Sequence, residues 1–570
     1  MRAGVIVLKL GGSVLRNPAS LPRAVHEIYR WRRDGYRVVA VVSAFAGETD
    51  ALLERARALG AGPGSTAAAA ATGELLSAAL LGAALDRAGV PACVLAPAAL
   101  SLRAEGDPLE ATPLSIDRAR LETALAEGLV VVPGFAGTDE RGRCVLFGRG
   151  GSDLSALFLA AALGARCRLI KDVDGLYEWD PARSASGGGP RPRRYERASW
   201  DDALSTDGRI LQHRAVRFAR DRGLEFEVAR SGGVQATRVG AAPTRFAGEA
   251  EPRTPLRLVL LGLGTVGGGV WRLTRDMPDE FEIVAVACRN TQRARGQGVP
   301  EALLQTDPVA AAQVEADLVV DCLGGLEPAR SAIAAALARG HDVVTANKFV
   351  LAQHGTDLLR LADAHGARLS ASAAVGGGAP VLERIGACKG RLRAVRGVLN
   401  GTVNLVLERL AAGAHLGEAL AETQRLGLTE SDPSRDLDGR DAADKLSVIA
   451  WLLGIEGLVV QREEFDTAVE SRARAAGKRR GRVRQVSELR LGAQGATARV
   501  YFAELSPGDP LYELPDAANA AVLLGAEGVL ARVSGIGAGR WPTAEAVVGD
   551  LLQFARSRAS RHGSVLAALG

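Results

Sequence analysis

The chain has 570 residues, of which 47% are hydrophobic and 24% are charged, and its formal net charge at pH 7 is +5. This length predicts three or four domains, because one hydrophobic core does not grow to such a size. The small net charge argues against a nucleic-acid partner, and the apolar stretch LSALFLAAALGA is too short to span a membrane. The six cysteines are scattered without metal-binding spacing, which favours reduced thiols in the cytoplasm.

Glycines and polar residues follow the first predicted strands. The strand at residues 5–10 includes Lys9 and ends in Gly11 and Gly12, and the next strand leads into Ser43. Glycines at such a turn let backbone N–H groups approach an anion, and a lysine adds a fixed positive charge. In open α/β sheets, ligands bind at the edge where parallel strands end. The first half therefore predicts a site for a phosphoryl group.

Charged residues recur at later turns of this half. Glu74 opens a predicted apolar helix, and Arg149 and Asp153 precede the body of another. A helix N-terminus offers free N–H groups, and an arginine can hold a carboxylate with a fork of two hydrogen bonds. Asp172 and Asp174 follow a predicted strand, where paired aspartates suit a nucleotide and its Mg²⁺.

In order and spacing, these motifs resemble the amino-acid kinase superfamily and, within it, the aspartate kinases. The resemblance covers about the first 235 residues and rests on LKLGGS, VVSAFAGETDALL, TGELLSAALL, VVVPGFAGTDERG, GRGGSDLSALFLAAALGA and KDVDGLYEWDP. It implies an amino-acid kinase domain over residues 1–231 that phosphorylates L-aspartate with ATP and Mg²⁺. The residues it implies are Lys9 and Asp153 in catalysis, Ser43, Glu74 and Arg149 at the substrate, and Gly11, Gly12, Asp172, Asp174 and Arg209 at the nucleotide.

Three departures from the family pattern concern the nucleotide. The family usually has threonine at the position of Lys171, arginine at that of Ala182, and lysine where Arg209 begins RILQHRAV. Two alternatives to an aspartate kinase therefore stay open. One is that the first half is a non-catalytic dimerisation or regulatory module. The other is that it is a kinase for another small acid, because the sequence marks the phosphate chemistry better than the choice of substrate.

Residues 232–255 are rich in Gly, Ala, Pro and Thr and lack periodicity, which predicts a linker. The resembled kinases often carry two ligand-sensing ACT domains at this point. This segment is too short to hold them, so we expect feedback by an amino-acid end product through that route to be missing.

The second half opens with the pattern of a dinucleotide-binding domain. A buried strand is predicted at 256–261, followed by GLGTVG and a helix, which is the context that a dinucleotide fingerprint requires. The next strand leads to Arg289 without an acidic residue that could bind a ribose 2′-hydroxyl. This favours NADP, with NAD as the alternative.

The segment 428–445 carries the strongest chemical signal of this half. Carboxylates such as Glu430 and Asp436 crowd a polar loop, and Asp441 and Lys445 then lie one helical turn apart on one face. A lysine fixed among carboxylates can bind an amino acid and transfer a proton. The alternative is a surface helix with an exposed ion pair.

From Leu256 to about Ala555 the motifs GLGTVG, DCLGGLEPA, VVTANK, AVGGGAP, LNGTVN, LTESDPSRDLDGRDAADK and GAGRWPTAEAV resemble those of homoserine dehydrogenases. The resemblance implies a Rossmann domain over 256–380, completed by 541–570, and an α+β substrate and dimerisation domain over 381–540. The implied residues are Lys348 and Lys445 in catalysis, Glu430, Asp436 and Asp441 at the substrate, Gly262, Gly264, Thr265, Val266, Gly267, Arg289 and Gly537 at NADP, and Val375 and Gly377 at a monovalent cation.

Together the two resemblances imply a fused α/β enzyme of threonine, methionine and lysine biosynthesis. It would phosphorylate L-aspartate and interconvert L-aspartate 4-semialdehyde and L-homoserine with NADP(H). We expect a cytoplasmic homo-oligomer whose partners are small molecules. One departure concerns the cation, because Ser372 stands where the family usually has glutamate.

Overall fold

The structure, a computed structural model, describes residues 4–179, 192–206, 208–233, 235–248, 254–426, 433–479, 481–493, 495–514, 518–537 and 539–567, the last nine of these by their backbone alone. The chain divides into two compact units. The first comprises residues up to 252 without 88–90, and the second comprises residues 88–90 and those from 253 onward.

The first unit is a mixed α/β domain. Its strands are β1 (Val5–Leu10), β2 (Arg37–Val42), β3 (Ala92–Val94), β4 (Arg103–Glu105), β5 (Thr112–Ser115), β6 (Leu129–Pro133), β7 (Ala136–Thr138), β8 (Cys144–Leu146), β9 (Arg166–Lys171), β10 (Tyr195–Ser199), β11 (Phe226–Arg230), β12 (Ala236–Gly240) and β13 (Arg245–Phe246). Its α-helices are α1 (Leu21–Arg33), α2 (Glu48–Ala58), α3 (Pro63–Arg87), α4 (Arg118–Glu127), α5 (Gly151–Leu163), α6 (Trp200–Ser205) and α7 (His213–Asp221), and short 3₁₀ turns lie at Pro18–Ser20 and Pro97–Leu100.

The main sheet of this unit brings the predicted phosphoryl-binding turns to one edge. Among the described residues its strand order is β13-β10-β12-β11-β9-β1-β2-β6-β3, and β11, β9, β1, β2, β6 and β3 run parallel. The central strands are almost continuous runs of buried aliphatic residues, as expected of parallel strands covered on both faces. Lys9, Ser43 and Lys171 therefore lie at the carboxyl ends of neighbouring strands.

Helix α3 is longer than predicted. It begins at Pro63 rather than next to Glu74, which lies in the middle of it. The extension is rich in alanine, the strongest helix former, and proline is favoured in the first turn. Among the described residues, α3 is the one helix whose length and composition would allow it to cross a membrane. Half of its most apolar stretch is buried, and it packs against α1, α2 and β6 as a core helix does.

The prediction that residues 232–255 form a linker is wrong over 236–246, because β12 and β13 belong to the main sheet. β12 is parallel to β10 and antiparallel to β11. Thr237 and Val239 are fully buried, whereas Arg238 between them faces outward. The glycines and prolines on either side concealed this short alternation of β-branched residues.

The second unit contains a parallel sheet and a mixed sheet. Its strands are β14 (Leu256–Leu261), β15 (Phe281–Ala287), β16 (Leu304–Gln305), β17 (Leu318–Asp321), β18 (Asp342–Thr345), β19 (Leu369–Ser370), β20 (Ala394–Val398), β21 (Val460–Arg462), β22 (Arg482–Gly492), β23 (Gly495–Leu505), β24 (Ala518–Gly525) and β25 (Gly528–Ile536). Its α-helices are α8 (Thr265–Arg275), α9 (Thr291–Gly296), α10 (Pro308–Ala311), α11 (Ala329–Ala338), α12 (Lys348–Ala364), α13 (Val381–Cys388), α14 (Gly401–Ala411), α15 (Leu416–Arg425), α16 (Ser434–Leu437), α17 (Arg440–Leu453), α18 (Thr467–Lys478) and α19 (Arg540–Ala567), with 3₁₀ turns at Glu301–Leu303, Ser372–Ala374 and Lys389–Arg391.

The parallel sheet has the strand order of a dinucleotide-binding domain. Among the described residues that order is β16-β15-β14-β17-β18-β19, which is 3-2-1-4-5-6 when counted within the domain. The structure thus confirms the predicted Rossmann architecture. The long helix α19 returns to this domain, packs against α8 and contributes Val547, Val548 and Leu551 to its apolar core.

The mixed sheet carries the second predicted site. Its order among the described residues is β21-β23-β22-β20-β24-β25. Helix α17 ends at the left-handed cap Gly454, and it packs against α12 and α13 through buried apolar residues such as Leu446 and Ile449. This packing holds the polar first turn of α17 in place.

The assignment of β12 to the first unit leads to a stability prediction. The hydroxyl of Thr237 donates to the carbonyl of Tyr195 at 2.5 Å and accepts from the N–H of Leu176 at 2.8 Å. Thr237→Val keeps the side-chain shape but leaves both backbone groups unpaired in the core. We expect a loss of about 1–3 kcal/mol in the free energy of unfolding.

Denaturation of the full chain by urea measures this loss. The matched control is Arg238→Val at the neighbouring exposed position, which should change stability by about 0.5 kcal/mol or less. Equal effects of the two substitutions would show that β12 is not a packed strand.

Candidate functional site

A buried carboxylate between two lysines lies at the carboxyl edge of the first sheet. Asp153 Oδ1 is 2.9 Å from the Nζ of Lys9 at the end of β1, and Asp153 Oδ2 is 2.8 Å from the Nζ of Lys171 at the end of β9. The side chains of all three residues are largely buried, and that of Asp153 is only 3% exposed. We call this group the Asp153 cluster.

The start of α5 positions Asp153. Gly150 caps this helix with a φ of 76°, a left-handed conformation that favours glycine, and Asp153 follows in the first turn. Burial alone would raise the pKa of Asp153, but Lys171 and Lys9 outweigh it and lower the pKa to about 2. Burial lowers the pKa of Lys171, and Asp153 opposes that effect. The carboxylate therefore stays charged and orients both ammonium groups.

Glu74 is buried beside this cluster. Burial raises its pKa to about 8, although Ser152 and Lys9 act in the opposite direction. The hydroxyl of Ser152 donates to Oε1 of Glu74 at 2.7 Å. A side chain on Gly134 would come within 2.8 Å of Ser152 and 3.1 Å of Glu74, so only glycine leaves room for this pair.

Three residues at this site were not predicted from the sequence, namely Lys171, Ser152 and Gly134. Lys171 was noted only as a departure from a family threonine. Its position at the end of β9, beside β1, was the available signal, because parallel strands end at a common edge. Ser152 and Gly134 meet Glu74 through contacts between residues distant in the chain, which no local pattern reveals.

The other predicted residues of the first unit are placed as follows. Gly11 adjoins Lys9, since a Cβ there would lie 3.0 Å from its Nζ, and a Cβ on Gly12 would lie 3.3 Å from the carbonyl of Ala44. Ser43 is partly buried at the end of β2.

The remaining predicted residues of this unit are less buried than the Asp153 cluster. They are Arg149, Arg209, Asp172 and Asp174. Arg149 is exposed in the turn before α5 and makes no hydrogen bond or ion pair with the residues that the structure describes. Asp172 and Arg209 are exposed, and Asp174 accepts a 2.6 Å hydrogen bond from the hydroxyl of Tyr177. Ala182 lies outside the described residues.

A second carboxylate between two lysines lies in the second unit. Asp441 Oδ2 is 2.7 Å from the Nζ of Lys445, one turn along α17, and Asp441 Oδ1 contacts the Nζ of Lys348 at the start of α12. Lys445 and Asp441 are each 10% exposed. We call this group the Asp441 cluster. Its burial shows that the Asp441–Lys445 pair is not an exposed surface ion pair.

Two residues after β20 also bond to this cluster, Asn400 to Asp441 and Leu399 to Lys445. The amide of Asn400 donates to Asp441 Oδ2 at 2.9 Å and to Asp436 Oδ1 at 2.7 Å, and Lys445 donates to the carbonyl of Leu399 at 2.6 Å. Burial would raise the pKa of Asp441, but Lys445 and Lys348 hold it well below its usual range. Asn400 thus joins Asp436 to the cluster, while the substrate role that the resemblance implies for Asp436 stays a prediction. Glu430, the other predicted carboxylate, lies outside the described residues.

A hydrogen-bond network fixes the turn that carries Lys348. Thr345 donates to the buried Asp321 at 2.7 Å, and the Thr345 hydroxyl accepts from the N–H of Asn347 at 2.9 Å. Asn347 caps α12 and also donates to the carbonyl of Gly325 at 2.7 Å. Burial raises the pKa of Asp321 to about 6. The ends of β17 and β18 are therefore tied together beside Lys348.

The glycine turn after β14 fits a dinucleotide. Gly262 has a φ of +88°, and a Cβ on Gly267 would lie 1.9 Å from the Gly262 carbonyl, so both positions require glycine. Gly264 has open space around it, and α8 begins at Thr265, so Val266 and Gly267 also lie in its first turn. Free N–H groups thus face open space where a pyrophosphate can approach.

Arg289 and Gly537 were also predicted at the cofactor. Arg289 follows β15, is exposed, and has no hydrogen-bond or ion-pair partner within the described part of the chain. Its neighbour Arg295 is paired with Glu301. Gly537 lies against the side chain of Asn519, which occupies the place a Cβ would need.

The predicted cation site at Val375 and Gly377 stays a prediction. Val375 is buried, Gly377 has a φ of +57°, and the carbonyl of Gly376 between them accepts from Ala379 at 2.9 Å. Within the described residues, the structure holds no group of three or more His, Cys, Asp or Glu side chains that could hold a metal ion.

Ser372, which stands where the resembled family usually has glutamate, bonds to a carboxylate from another element. Its hydroxyl donates to the buried Asp550 of α19 at 2.7 Å, and its N–H donates at 3.1 Å. A carboxylate is thus present next to this turn, although it belongs to α19.

Three protein-family models match successive parts of the chain, and each part contains most or all of one of the three main sheets described above. Residues 4–229 match the amino acid kinase family, residues 262–371 match the NAD binding domain of homoserine dehydrogenase, and residues 380–552 match homoserine dehydrogenase. The three matches follow the order that the sequence motifs predicted.

Individual relatives match the second half. The chain is 35% identical over 317 residues to the homoserine dehydrogenase of a Synechocystis species, covering 52% of this chain and 73% of that protein. It is 32% identical over 328 residues to that of Corynebacterium glutamicum, covering 54% and 73%. A crystal structure of a homoserine dehydrogenase from Thiobacillus denitrificans matches with a TM-score of 0.50 and 33% identity, covering 54% of this chain and 74% of the other.

The raised pKa of Glu74 leads to a pH prediction. Because the pKa is about 8 in the folded state and 4.5 ordinarily, the folded state binds the proton more tightly. This contribution to stability is complete below pH 4.5 and is lost as the pH rises through 8. Relative to wild type, Glu74→Gln should therefore gain about 1.4 kcal/mol per pH unit between these limits.

Urea unfolding at pH 5, 6.5 and 8 measures the difference. Glu122→Gln, at an exposed glutamate of the same unit, is the control and should follow the wild type at each pH. A pH dependence of Glu74→Gln parallel to that of the wild type would show that Glu74 is charged in the folded state.

Proposed function

The chain belongs to the homoserine dehydrogenase family and carries an amino-acid kinase domain before it, and we propose that each half works at its own buried carboxylate with two lysines. It is a bifunctional enzyme of amino-acid biosynthesis, an aspartate kinase joined to a homoserine dehydrogenase. The observation that supports the proposed sites is the pair of lysines that meets Asp153 in one unit and Asp441 in the other.

In the kinase half, we propose that Lys9 and Lys171 bind the phosphoryl group in transfer. ATP with Mg²⁺ supplies that group when bound, and the side-chain carboxylate of L-aspartate receives it. Two ammonium groups held by Asp153 stabilise the negative charge that the transfer concentrates at this point. Arg149, exposed and unpaired with the described residues, would bind the α-carboxylate of aspartate through its fork of donors.

In the dehydrogenase half, we propose that Lys445 and Lys348 move the proton at the oxygen of homoserine or of L-aspartate 4-semialdehyde. NADP supplies the hydride acceptor when bound. Burial lowers the pKa of Lys445, although Asp441 opposes this effect, so the ammonium gives up a proton more readily than an exposed lysine. Asp436, held by Asn400, would bind the amino group of the substrate, together with Glu430.

The nicotinamide cofactor is proposed to be NADP rather than NAD. Arg289 is exposed after β15 and free to meet a 2′-phosphate, and no acidic side chain follows that strand directly. Fluorescence titration measures the dissociation constants of the full chain for NADPH and NADH, and the constant for NADPH should be the smaller. A monovalent cation at Val375 and Gly377 remains part of the proposal, with Asp550 as the nearby carboxylate.

The assembly is proposed to be a cytoplasmic homo-oligomer that acts on small molecules. Within the described residues, β25 lies at the end of the mixed sheet and pairs with β24 alone, and Val529 on it is 49% exposed. An open strand edge with an apolar side chain suits pairing with a second copy. Sedimentation analysis of the full chain measures the number of copies.

The kinase proposal predicts the effect of replacing either lysine of the Asp153 cluster. Lys9→Met and Lys171→Thr should each slow the formation of aspartyl hydroxamate from L-aspartate, ATP and hydroxylamine by about 10²-fold or more, the scale for losing one group that stabilises developing charge. Oxidation of homoserine by the same preparations should stay within about twofold of wild type, because these residues lie in the other unit.

Lys478→Met, at an exposed lysine of α18, serves as the control for loss of a positive charge. If the wild-type chain formed no hydroxamate, the first half would be a non-catalytic module. If Lys171→Thr kept the wild-type rate, Lys171 would not touch the transferred group.

The dehydrogenase proposal predicts a separate effect of Lys445. Lys445→Met keeps the side-chain length, removes the proton donor and leaves Asp441 paired with Lys348. The turnover number for homoserine oxidation should fall by about 10²-fold or more, as for loss of an acid or base catalyst. The same variant should form aspartyl hydroxamate at the wild-type rate, which would show that the protein is folded.

The matched control is Lys389→Met, at an exposed lysine of the same unit whose Nζ donates to the carbonyl of Leu452 at 3.3 Å. It should oxidise homoserine at the wild-type rate. Turnover of Lys445→Met within about threefold of wild type would remove Lys445 from the proton transfer.

A further inference from the structure

One face of α3 is both exposed and apolar. Exposed positions recur along this helix every three or four residues, and they carry Ala68, Thr72, Leu75, Leu76, Ala79 and Ala83. We call these six positions the α3 face. The exposed side of a surface helix normally carries charged residues. Between Pro63 and Leu85, however, the single charged residue is Glu74, and its side chain is buried.

Neighbouring residues extend this apolar surface. Among the described residues of the first unit, four of the six exposed large apolar side chains lie on α3 or next to it, namely Leu59, Leu75, Leu76 and Val94, and the others are Leu114 and Trp179. Val94 belongs to β3, the last strand at its end of the main sheet, and a Cβ on Gly82 would lie 2.7 Å from its Cγ2. Exposed apolar side chains gathered in one place mark a surface that binds a partner.

The order of side chains along the α3 face is nearly the same in both directions. Leu75 and Leu76 lie at the centre, Thr72 and Ala79 lie three residues to either side, and the alanines at 68 and 83 lie seven residues to either side. A two-fold interface joins the same patch of two copies, so it requires a self-complementary pattern of this kind. In an antiparallel pair the leucines would meet at the axis, and the small residues on either side would let the two helices approach closely.

The charge at the end of α3 fits the same arrangement. Asp86 is exposed in the last turn, where the negative end of the helix dipole makes a carboxylate unfavourable. It makes no hydrogen bond or ion pair with any residue that the structure describes. A two-fold axis between Leu75 and Leu76 would place Asp86 opposite the partner's Ser65, in the first turn of the other helix. The free N–H groups of that turn favour a carboxylate, and the contact would form twice.

A lipid surface suits the α3 face less well than a second copy. Helices that lie on membranes carry lysine and arginine beside their apolar face, and α3 has neither between Pro63 and Leu85. An unlike protein partner would not require an order of side chains that is the same in both directions. The second copy is therefore the occupant that accounts for both the pattern and the position of Asp86.

We propose that the α3 face is an interface between two copies of this chain, packed antiparallel about a two-fold axis between Leu75 and Leu76. Glu74 lies on the buried side of the same helix and accepts the hydrogen bond from Ser152. The interface therefore also holds in place the helix that carries this glutamate. It belongs to the first unit and is separate from the open edge of β25.

The number of copies in the full chain tests the proposal. Leu76→Glu would place a carboxylate in the apolar centre of the interface, so sedimentation velocity at micromolar protein should show half as many copies as in wild type. The substitution leaves β25 unchanged, so the halving is expected whether or not that edge also forms a contact. Homoserine oxidation should stay within about twofold of wild type, which would show that the variant is folded.

The matched control is Leu114→Glu. Leu76 and Leu114 are both 49% exposed and both belong to the first unit, but Leu114 lies on β5, away from α3. Leu114→Glu should keep the number of copies of the wild type. An equal fall in both variants would show that added charge, rather than loss of the α3 contact, separates the copies.

Oxidative cross-linking tests the two-fold axis itself. A cysteine at position 75 lies next to the axis, so Leu75→Cys should form disulfide-linked dimers when the full chain is oxidised. Two cysteines at position 83 would lie about 22 Å apart along the helices, whereas a disulfide needs Cα atoms within about 7 Å. Ala83→Cys should therefore cross-link at least about tenfold more slowly than Leu75→Cys. Leu114→Cys and the wild type, with its six native cysteines, give the background.

Several outcomes would overturn the proposal. They are a wild-type chain that sediments as a single copy, an unchanged number of copies in Leu76→Glu, and cross-linking of Ala83→Cys as fast as that of Leu75→Cys. Binding of the wild type to vesicles of anionic phospholipid that Leu76→Glu abolishes, without a change in the number of copies, would assign the α3 face to a membrane instead.

Discussion

Both units depend on the same interaction, a buried aspartate that contacts two lysines. Asp153 and Asp441 each lie in the first turn of a helix that a left-handed glycine precedes, Gly150 with a φ of 76° and Gly439 with a φ of 74°. A buried charge is strongly unfavourable unless it is paired, and each carboxylate satisfies this condition with two ammonium groups from different elements. The helix start, the lysines and the carboxylate therefore constrain one another.

This arrangement leaves each cluster with one more positive charge than negative charge. In the first unit the excess charge lies at the edge where β1 and β9 end, beside the buried Glu74, whose pKa is raised by burial. In the second unit it lies between α12, α17 and the turn after β20. The excess positive charge of each cluster can stabilise an anionic group of the substrate. In the first unit this group is a phosphoryl oxygen, and in the second it is an oxygen that gains negative charge during proton transfer. A buried aspartate with two lysines thus suits both of the proposed reactions.

Local patterns and the family resemblances allowed much of the fold to be predicted from the sequence, together with every member of the two clusters except Lys171. The strands Val5–Leu10 and Leu256–Leu261 have the predicted bounds, because apolar runs and glycine turns are local signals. Asp441 and Lys445 were paired correctly because four residues make one helical turn. Lys171 and Ser152 acquire their importance from contacts with residues far along the chain, and no single-sequence pattern contains those contacts.

Neutralising each aspartate in turn tests the central claim most directly. Asp153→Asn and Asp441→Asn keep the side-chain size and remove the charge that holds the lysines. With both reactions assayed on each variant, Asp153→Asn should lose hydroxamate formation by about 10²-fold or more and keep homoserine oxidation, and Asp441→Asn should do the reverse. Near-normal hydroxamate formation by Asp153→Asn, or near-normal homoserine oxidation by Asp441→Asn, would contradict the account.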